Sequence, residues 1–541
     1  MTERSSYHVT LGSACTRVHW VAVCIDYRLS AGARPSTAVP MSWRYNLPEG
    51  EDMAGAFRFR PRRAIVLLLL TLLGLVVAGI VWAFWPLIVF FQGQPVLHRV
   101  ADLRLTNHGA APIAILGGTL IDGNGGAPVE NSAIVLRDQR IVEVGRAADV
   151  RIPPDAVRIQ ASGKTVLPGL IDMHVHLFKG DDLHLFIAAG VTTVRDVGGF
   201  TDQMVRLADG TRSGELLGPR VFFSGESFIH ESGFAQWQRP TKNPDEARVE
   251  VKKRIASGAS VIKIVSDITP DLVQAIVEEA HRANVPVTAD ILGNGVVTAE
   301  RAIRLGVDGL EHVSGVPQSI QADDAPTHFS EPVSNKAMLA WMYADKQKEQ
   351  ALIQLMIERG TYVVPTFSVM QMLFPEGVPV PDDPAVRYVS ERLRAFWTGV
   401  DRIPSLSSAT DRALEDAFLV HFAYSQPFVR RLDAAGGRIV AGTDEPTPGL
   451  VPGFSLHREM ELLVEAGLTP MRAIQAATKT AAQFLGKSNE LGTIEVGKLA
   501  DLIVVDGQPH VRIGDIRQVR TVLKNGIPID ASDVLKLSAR K

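Results

Sequence analysis

The sequence predicts an α/β chain: a (β/α)8 TIM-like barrel, a small composite β-sandwich made from both ends of the exported part, and one N-terminal transmembrane helix. Three observations carry this. An uncharged apolar run occupies residues 64–91, eight strand-like runs alternate with helical sequence from about residue 170 to 445, and turn-punctuated β segments flank them on both sides. The composition, with 46% hydrophobic and 21% charged residues among 541, is that of a folded chain. With 56 basic against 59 acidic side chains and a formal charge of −3, there is no electrostatic reason to expect a nucleic-acid partner. Both cysteines, Cys15 and Cys24, precede the apolar run, so a metal in the folded part must be held by nitrogen and oxygen.

The run AIVLLLLTLLGLVVAGIVWAFWPLIVFF, from Ala64 to Phe91, exceeds the roughly 20 residues that cross a bilayer. It ends in Trp82, Trp85, Phe90 and Phe91, which suit an interfacial belt, and not in a small-residue cleavage site, so it reads as an uncleaved anchor. Arg58, Arg60, Arg62 and Arg63 crowd its N-terminal side, while only Arg99 and Arg104 follow closely. The positive-inside rule then places the N-terminus in the cytoplasm and everything beyond about residue 92 in the periplasm or outside the cell, as a single-pass membrane protein. Residues 1–63 read as a cytoplasmic tail without a fold. Within it, Met53 opens a complete start for an anchored protein, leaving residues 1–52 as a disordered tail or an over-extended start. Residues 92–111 form a linker.

Residues 112–166 contain IAILGGTLID, SAIVLRDQRIVEVG and VRIQASGKTVL, short strands broken by Gly, Asp and Asn turns. The same texture returns over 488–535 in LADLIVVDG and VRTVLKNGIPI, so the two segments are expected to join. Between them, residues 167–487 hold the eight runs LIDMHVHL, VTTVRDV, RVFFSGESF, VIKIVSD, VPVTADI, GLEHVSG, TYVVPTFS and RIVAGTDE. DLVQAIVEEAHRAN, TAERAIRLG and EQALIQLMIERG read as helices between them, and such alternation implies parallel strands. The long interval 317–437, with PEGVPVPDDP, is expected to shape specificity.

The ionisable residues fall at the C-terminal ends of the strand runs, where active sites of this architecture gather. His174 and His176 stand two apart, so a strand aims both imidazoles to one side as a metal-ligand pair. Asp172 shares their face one step deeper and is expected either to be structural or to orient a ligand imidazole. Lys263 is the only charge in VIKIV; it must reach water, meet a counter-charge or lose its positive charge. His312 and Asp444 end the sixth and eighth runs.

Together GKTVLPGLIDMHVHL, VIKI, GLEHV, AGTDEPTPG and GTIEVGKLADLIVVDG resemble the amidohydrolase superfamily, in particular its imidazolonepropionase-like and Xaa-Pro dipeptidase (prolidase) branch, over roughly residues 112–530. The resemblance implies a barrel with an attached sandwich and hydrolysis of amide-type bonds at a divalent metal centre, Zn²⁺ or a similar ion, with one or two ions per chain. It implies that His174 and His176 bind the first metal, that a carbamylated Lys263 bridges two, that His312 binds the second, and that Asp444 is ligand and proton shuttle. In this branch a histidine usually ends the fifth strand. Here Asp290 stands in that slot, and an anion in place of a neutral donor raises the pKa of a bound water.

The expected function is therefore a membrane-anchored metal-dependent hydrolase of a small-molecule or dipeptide substrate, a peptide or cyclic amide, with His230 and Arg195 as candidate substrate contacts. The alternative is a non-catalytic metal- or ligand-binding protein on the same scaffold. Oligomeric state stays open.

Overall fold

The computed structural model describes residues 61–538 apart from 93, 96, 104–110, 231–237, 293–295, 326–335, 373–382 and 402–411. Residues 1–60 of the expected 1–63 tail and most of PEGVPVPDDP therefore lie outside the described residues, and residues 61–63 open a helix. The chain divides into two units, 1–69 and 70–541; in the first, only the opening of the helix Pro61–Gln92 is described.

Within that helix, Leu69–Ile88 is a 20-residue stretch of mean hydropathy 2.1, about 30 Å long at 1.5 Å per residue. Trp82 and Trp85 project outward, 62% and 57% exposed. Phe90, expected in an interfacial belt with them, is turned into the fold. It is 1% exposed, with its ring 5.6 Å from that of Phe178 and 4.6 Å from that of Phe396, and its carbonyl accepts hydrogen bonds from Nε (2.8 Å) and Nη2 of Arg392. The residues expected as a linker are partly engaged: Leu217 N–H donates to the carbonyl of His98, and Arg99 bridges to Leu216.

Five strands precede the barrel, β1 (Ile113–Leu120), β2 (Val129–Arg137), β3 (Arg140–Arg146), β4 (Val157–Gln160) and β5 (Lys164–Pro168). In the barrel region lie β6 (Leu170–Val175), β7 (Val191–Asp196), β8 (Arg220–Phe223), β9 (Ser227–Ile229), β10 (Gln238–Pro240), β11 (Ile262–Val265), β12 (Val287–Asp290), β13 (Gly309–Glu311), β14 (Tyr362–Val364) and β15 (Arg438–Ile439). Beyond it come β16 (Leu502–Asp506), β17 (Val519–Lys524) and β18 (Ile527–Asp530). The two β segments do join: one sheet runs β18-β17-β16-β5-β1-β2-β3, with β4 also on β1, so that β16 from the far end pairs antiparallel with β5.

Each of the eight expected runs contains a strand. The third is split into β8 and β9, and Gly225 between them has φ +72, a left-handed turn that favours glycine. β6, β7 and β8 pair in parallel, as do β11 to β15 in sequence order. Backbone bonds close the ring: Ser260 N–H reaches Phe223 O at 2.9 Å, Met173 N–H reaches Ala441 O at 3.0 Å, and His176 N–H reaches Glu445 O at 2.8 Å. Strands covered on both faces carry near-continuous apolar sequence, and every residue of β6, β7 and β11 is buried. Helices stand where their caps dictate. Asp345 accepts from the N–H groups of Gln347 and Lys348 to start Lys346–Arg359, and Gly360 at φ +66 ends it.

Behind the eighth strand, Glu459 of the helix Phe454–Glu465 is fully buried and accepts a 2.7 Å hydrogen bond from Ser368 N–H. Burial pushes its carboxyl from the ordinary 4.5 up to about 8. Between those values the unfolded chain has released this proton and the native chain has not, so native stability falls as pH rises from 4.5 to about 8. Glu459→Gln, a mimic of the protonated acid, is expected to flatten that slope; denaturant unfolding at about pH 5 and about pH 9 measures it, and an unchanged slope would refute the assignment.

Candidate metal centre

Three side chains converge at the mouth of the barrel. His174 on β6 and His176 one residue beyond its end point to the same side, and the carboxylate of Asp444 meets both: its Oδ1 lies 3.2 Å from each Nε2. One ligand atom from each of the three lies within 4.8 Å of the others. Asp444 reaches this position with φ +63, a left-handed conformation that costs a non-glycine residue about 1–2 kcal/mol, and its N–H is tied to His174 O at 2.8 Å. Gly442, two residues earlier, permits the approach: a Cβ there would sit 2.7 Å from a Val364 methyl and 2.8 Å from the Cβ of His174.

The hydrogen bonds fix which imidazole nitrogen is free. His174 Nδ1 lies 2.8 Å from Glu311 Oε2, in the buried interior. Glu311 is fully buried; burial alone raises its pKa, but Arg195, His174 and Lys263 together hold it well below the usual carboxylate range. An ionised carboxylate only accepts, so His174 Nδ1 carries the proton and Nε2 presents its lone pair. That Nε2 is buried and has no hydrogen-bond partner, as a metal-ligand nitrogen requires. Burial and the Lys263 charge lower the pKa of His174, yet Asp444 and Glu311 leave it above the ordinary histidine value. Conversely, burial raises that of Asp444, while the charges of His174 and His312 hold it far down.

A second group faces the first. His312, whose ring centre is 4.6 Å from that of His174, has its Nδ1 2.6 Å from Thr366 Oγ1. The Thr366 hydroxyl gives its own hydrogen to Pro365 O at 2.7 Å, so it accepts from His312, and His312 Nε2 is again the free atom. Asp290, at the end of β12, brings Oδ2 to 3.5 Å from that Nε2. Lys263, 2% exposed on β11, lies close enough for its charge to act on His174, Glu311 and His312. The donor set of nitrogen and oxygen, with the unpartnered Nε2 of His174 among it, suits Zn²⁺ or a related divalent ion.

Residues 165–530 match the model described as the amidohydrolase family. The chain belongs to the amidohydrolase family. Its class is that of an enzyme hydrolysing carbon–nitrogen bonds. It is similar to ochratoxinase from Aspergillus niger, 26% identical over 467 residues covering 73% of this chain and 81% of that protein, and to an imidazolonepropionase from Geobacillus sp., 24% identical over 74% of this chain and 90% of the relative. Among solved structures, a Xaa-Pro dipeptidase with methionine bound in its active site superimposes with TM-score 0.58 at 24% identity, covering 78% of this chain and all of the other. At that identity the likeness establishes the fold, the barrel.

Of the expected site residues in this amidohydrolase, His174, His176 and Asp444 form one group, and His312, Asp290 and Lys263 border it. Of its two expected roles, Asp172 has the structural one: its Oδ1 accepts from the backbone N–H groups of His174 and Thr443, both at 3.1 Å, while burial pushes its carboxyl up to about 7. The residue that orients an imidazole is Glu311, and the sequence carries its signal, a carboxylate in GLEHV that must find a partner when buried. Arg195, a candidate substrate contact, is 1% exposed, with Nη2 2.6 Å from Glu311 Oε1, Nε 2.6 Å from Met173 O and its guanidinium stacked over Phe484. His230 is half-buried and acts electrostatically on Asp271, at the start of the helix Pro270–Arg282.

Glu311→Gln keeps the shape but removes the charge that holds His174 Nδ1–H. It is expected to weaken metal binding about 10–100-fold, measured by titrating the metal-stripped protein.

Proposed function

We propose that this chain is a membrane-anchored, exported hydrolase that cleaves an amide-type bond of a peptide or cyclic amide with metal-activated water. The observation that carries the reading is the trio His174, His176 and Asp444, with Nε2 of His174 buried, unpartnered and 3.2 Å from the carboxylate. Family membership and the amide chemistry named for the relatives support it. His174, His176 and Asp444 would hold a first ion such as Zn²⁺, and His312 with Asp290 would hold a second. Lys263 would serve both as a carbamate, formed when its neutral amine adds to CO2 with loss of a proton, which would turn a buried cation into an anionic oxygen donor.

A divalent ion there supplies Lewis-acid polarisation of the scissile carbonyl and makes water easier to deprotonate. The chain's own residues do the rest. Asp444 accepts a proton from the attacking water and passes it to the leaving nitrogen, so that neither product leaves as an unstable anion. Glu311 and Thr366 fix the imidazoles of His174 and His312 in the tautomers that leave Nε2 free. Asp444→Asn is expected to lower turnover about 10²–10⁴-fold, with metal content measured alongside on the same preparations. Wild-type protein that holds metal but turns over nothing in a panel of dipeptides and cyclic amides would instead establish a binding protein.

The anchor reading is supported by the length and hydropathy of Leu69–Ile88 and by the four arginines before it. The sheet shared by both chain ends is proposed to close as a sandwich, because Ile115, Ile134 and Val166 pack in one apolar cluster with Leu502, Val504 and Leu523. Protease added to intact spheroplasts is expected to cut beyond residue 92; a protected C-terminal portion with an accessible N-terminus would reverse the orientation.

A further inference from the structure

We infer that His421 is a positioning residue of the metal centre, which fixes the main chain of His312 through a tautomer set by Trp341. The inference rests on the reading of His312 and Asp290 as the second half-site. His421 lies in the helix Arg412–Ala434, outside the barrel strands, and is fully buried. Its two ring nitrogens have different partners. Trp341 Nε1 donates to His421 Nδ1 at 3.0 Å, and His421 Nε2 lies 2.7 Å from the carbonyl oxygen of His312. An indole N–H only donates and a carbonyl only accepts. Nδ1 therefore carries no proton, and Nε2–H donates to His312 O; the reverse tautomer would face two donors at one end and two acceptors at the other.

The carbonyl so held belongs to a strained turn. His312 and Val313 have φ +58 and +53, two successive non-glycine residues in the left-handed region. The N–H of His312 still pairs with Val364 O at 2.8 Å, in continuation of the β13–β14 ladder, but its carbonyl has turned toward the helix that carries His421. His312 is thus fixed at three points: its N–H by β14, its ring by Thr366, and its carbonyl by His421. Losing the third lets the turn relax toward an ordinary conformation and swings Nε2 away from Asp290. Trp341 is itself 2% exposed and packs on Tyr424 and Phe428 of the same helix, so the relay is built into the packed interior.

The test uses the full chain in detergent, stripped of metal and titrated with Co²⁺, reading stoichiometry, affinity and the visible absorption of each bound ion, with thermal unfolding in parallel. His421→Leu removes the donor. His421→Gln restores it, since its amide nitrogen donates to His312 O and its oxygen accepts from Trp341. Trp341→Phe removes only the N–H that sets the tautomer. The expected result is that His421→Leu and Trp341→Phe weaken the second ion about 10–100-fold and alter its spectrum. The ion on His174, His176 and Asp444 keeps its affinity, and His421→Gln recovers wild-type binding. Lower melting temperatures with both ions bound as in wild type would overturn the inference and leave a purely structural role. If His421→Leu fails to fold, Trp341→Phe decides by the same readout. A wild-type chain that takes up a single ion would overturn the second half-site and this inference with it.

Discussion

The centre depends on one buried ion pair. Arg195 and Glu311, 1% and 0% exposed, meet at 2.6 Å inside the barrel, where an isolated charge of either sign would be severely penalised. Each makes the other tolerable, and the surplus acceptor capacity of the carboxylate is then spent on function: Oε1 also takes the Thr288 hydroxyl, and Oε2 holds His174 Nδ1–H. Because an ionised carboxylate cannot donate, the tautomer of His174 follows from Arg195 lying beneath it. Arg195 belongs to β7 and Glu311 to β13, so this pair also ties opposite parts of the barrel through a polar contact that only a closed ring can bring together.

Around that pair, ordinary strand geometry is abandoned where side chains must turn inward. Thr366, His312 and Asp444 all have positive φ, at +51, +58 and +63, and all three lie just past the ends of strands or strand continuations. Left-handed non-glycine residues are unfavourable and persist only when neighbours over-determine them. Here the neighbours are specific: His174 O holds Asp444 N–H, His421 holds the carbonyl of His312, and the hydroxyl of Thr366 bonds both Pro365 O and the His312 ring.

The apolar helix reaches the same mouth. Phe90 is enclosed by Phe178 and Phe396, and Arg392 holds its carbonyl while pairing with Asp181 at 3.2 Å. The ring of Phe178 in turn stacks at 6.3 Å on that of His176. One aromatic layer therefore connects the end of the helix to a candidate ligand, which makes the barrel mouth and the helix terminus neighbours in the fold.

By itself the sequence determined the periodic and compositional features: eight strands in their places, the apolar helix, and the convergence of His174, His176 and Asp444, because strand alternation and strand-end placement are local properties. It located His312 for the same reason, whereas Asp290 was singled out by the family resemblance, and the two face each other at 3.5 Å. What it did not decide is which buried charge serves which. The positions of Asp172 and Arg195 along the strands leave both a structural and a site role open, whereas Glu311, more than a hundred residues away, meets both Arg195 and the His174 ring. Phe90 likewise reads as belt from its neighbours in sequence and is buried by residues of another segment. Pairing of buried polar groups depends on distances across the barrel, and those exist only once the ring has closed.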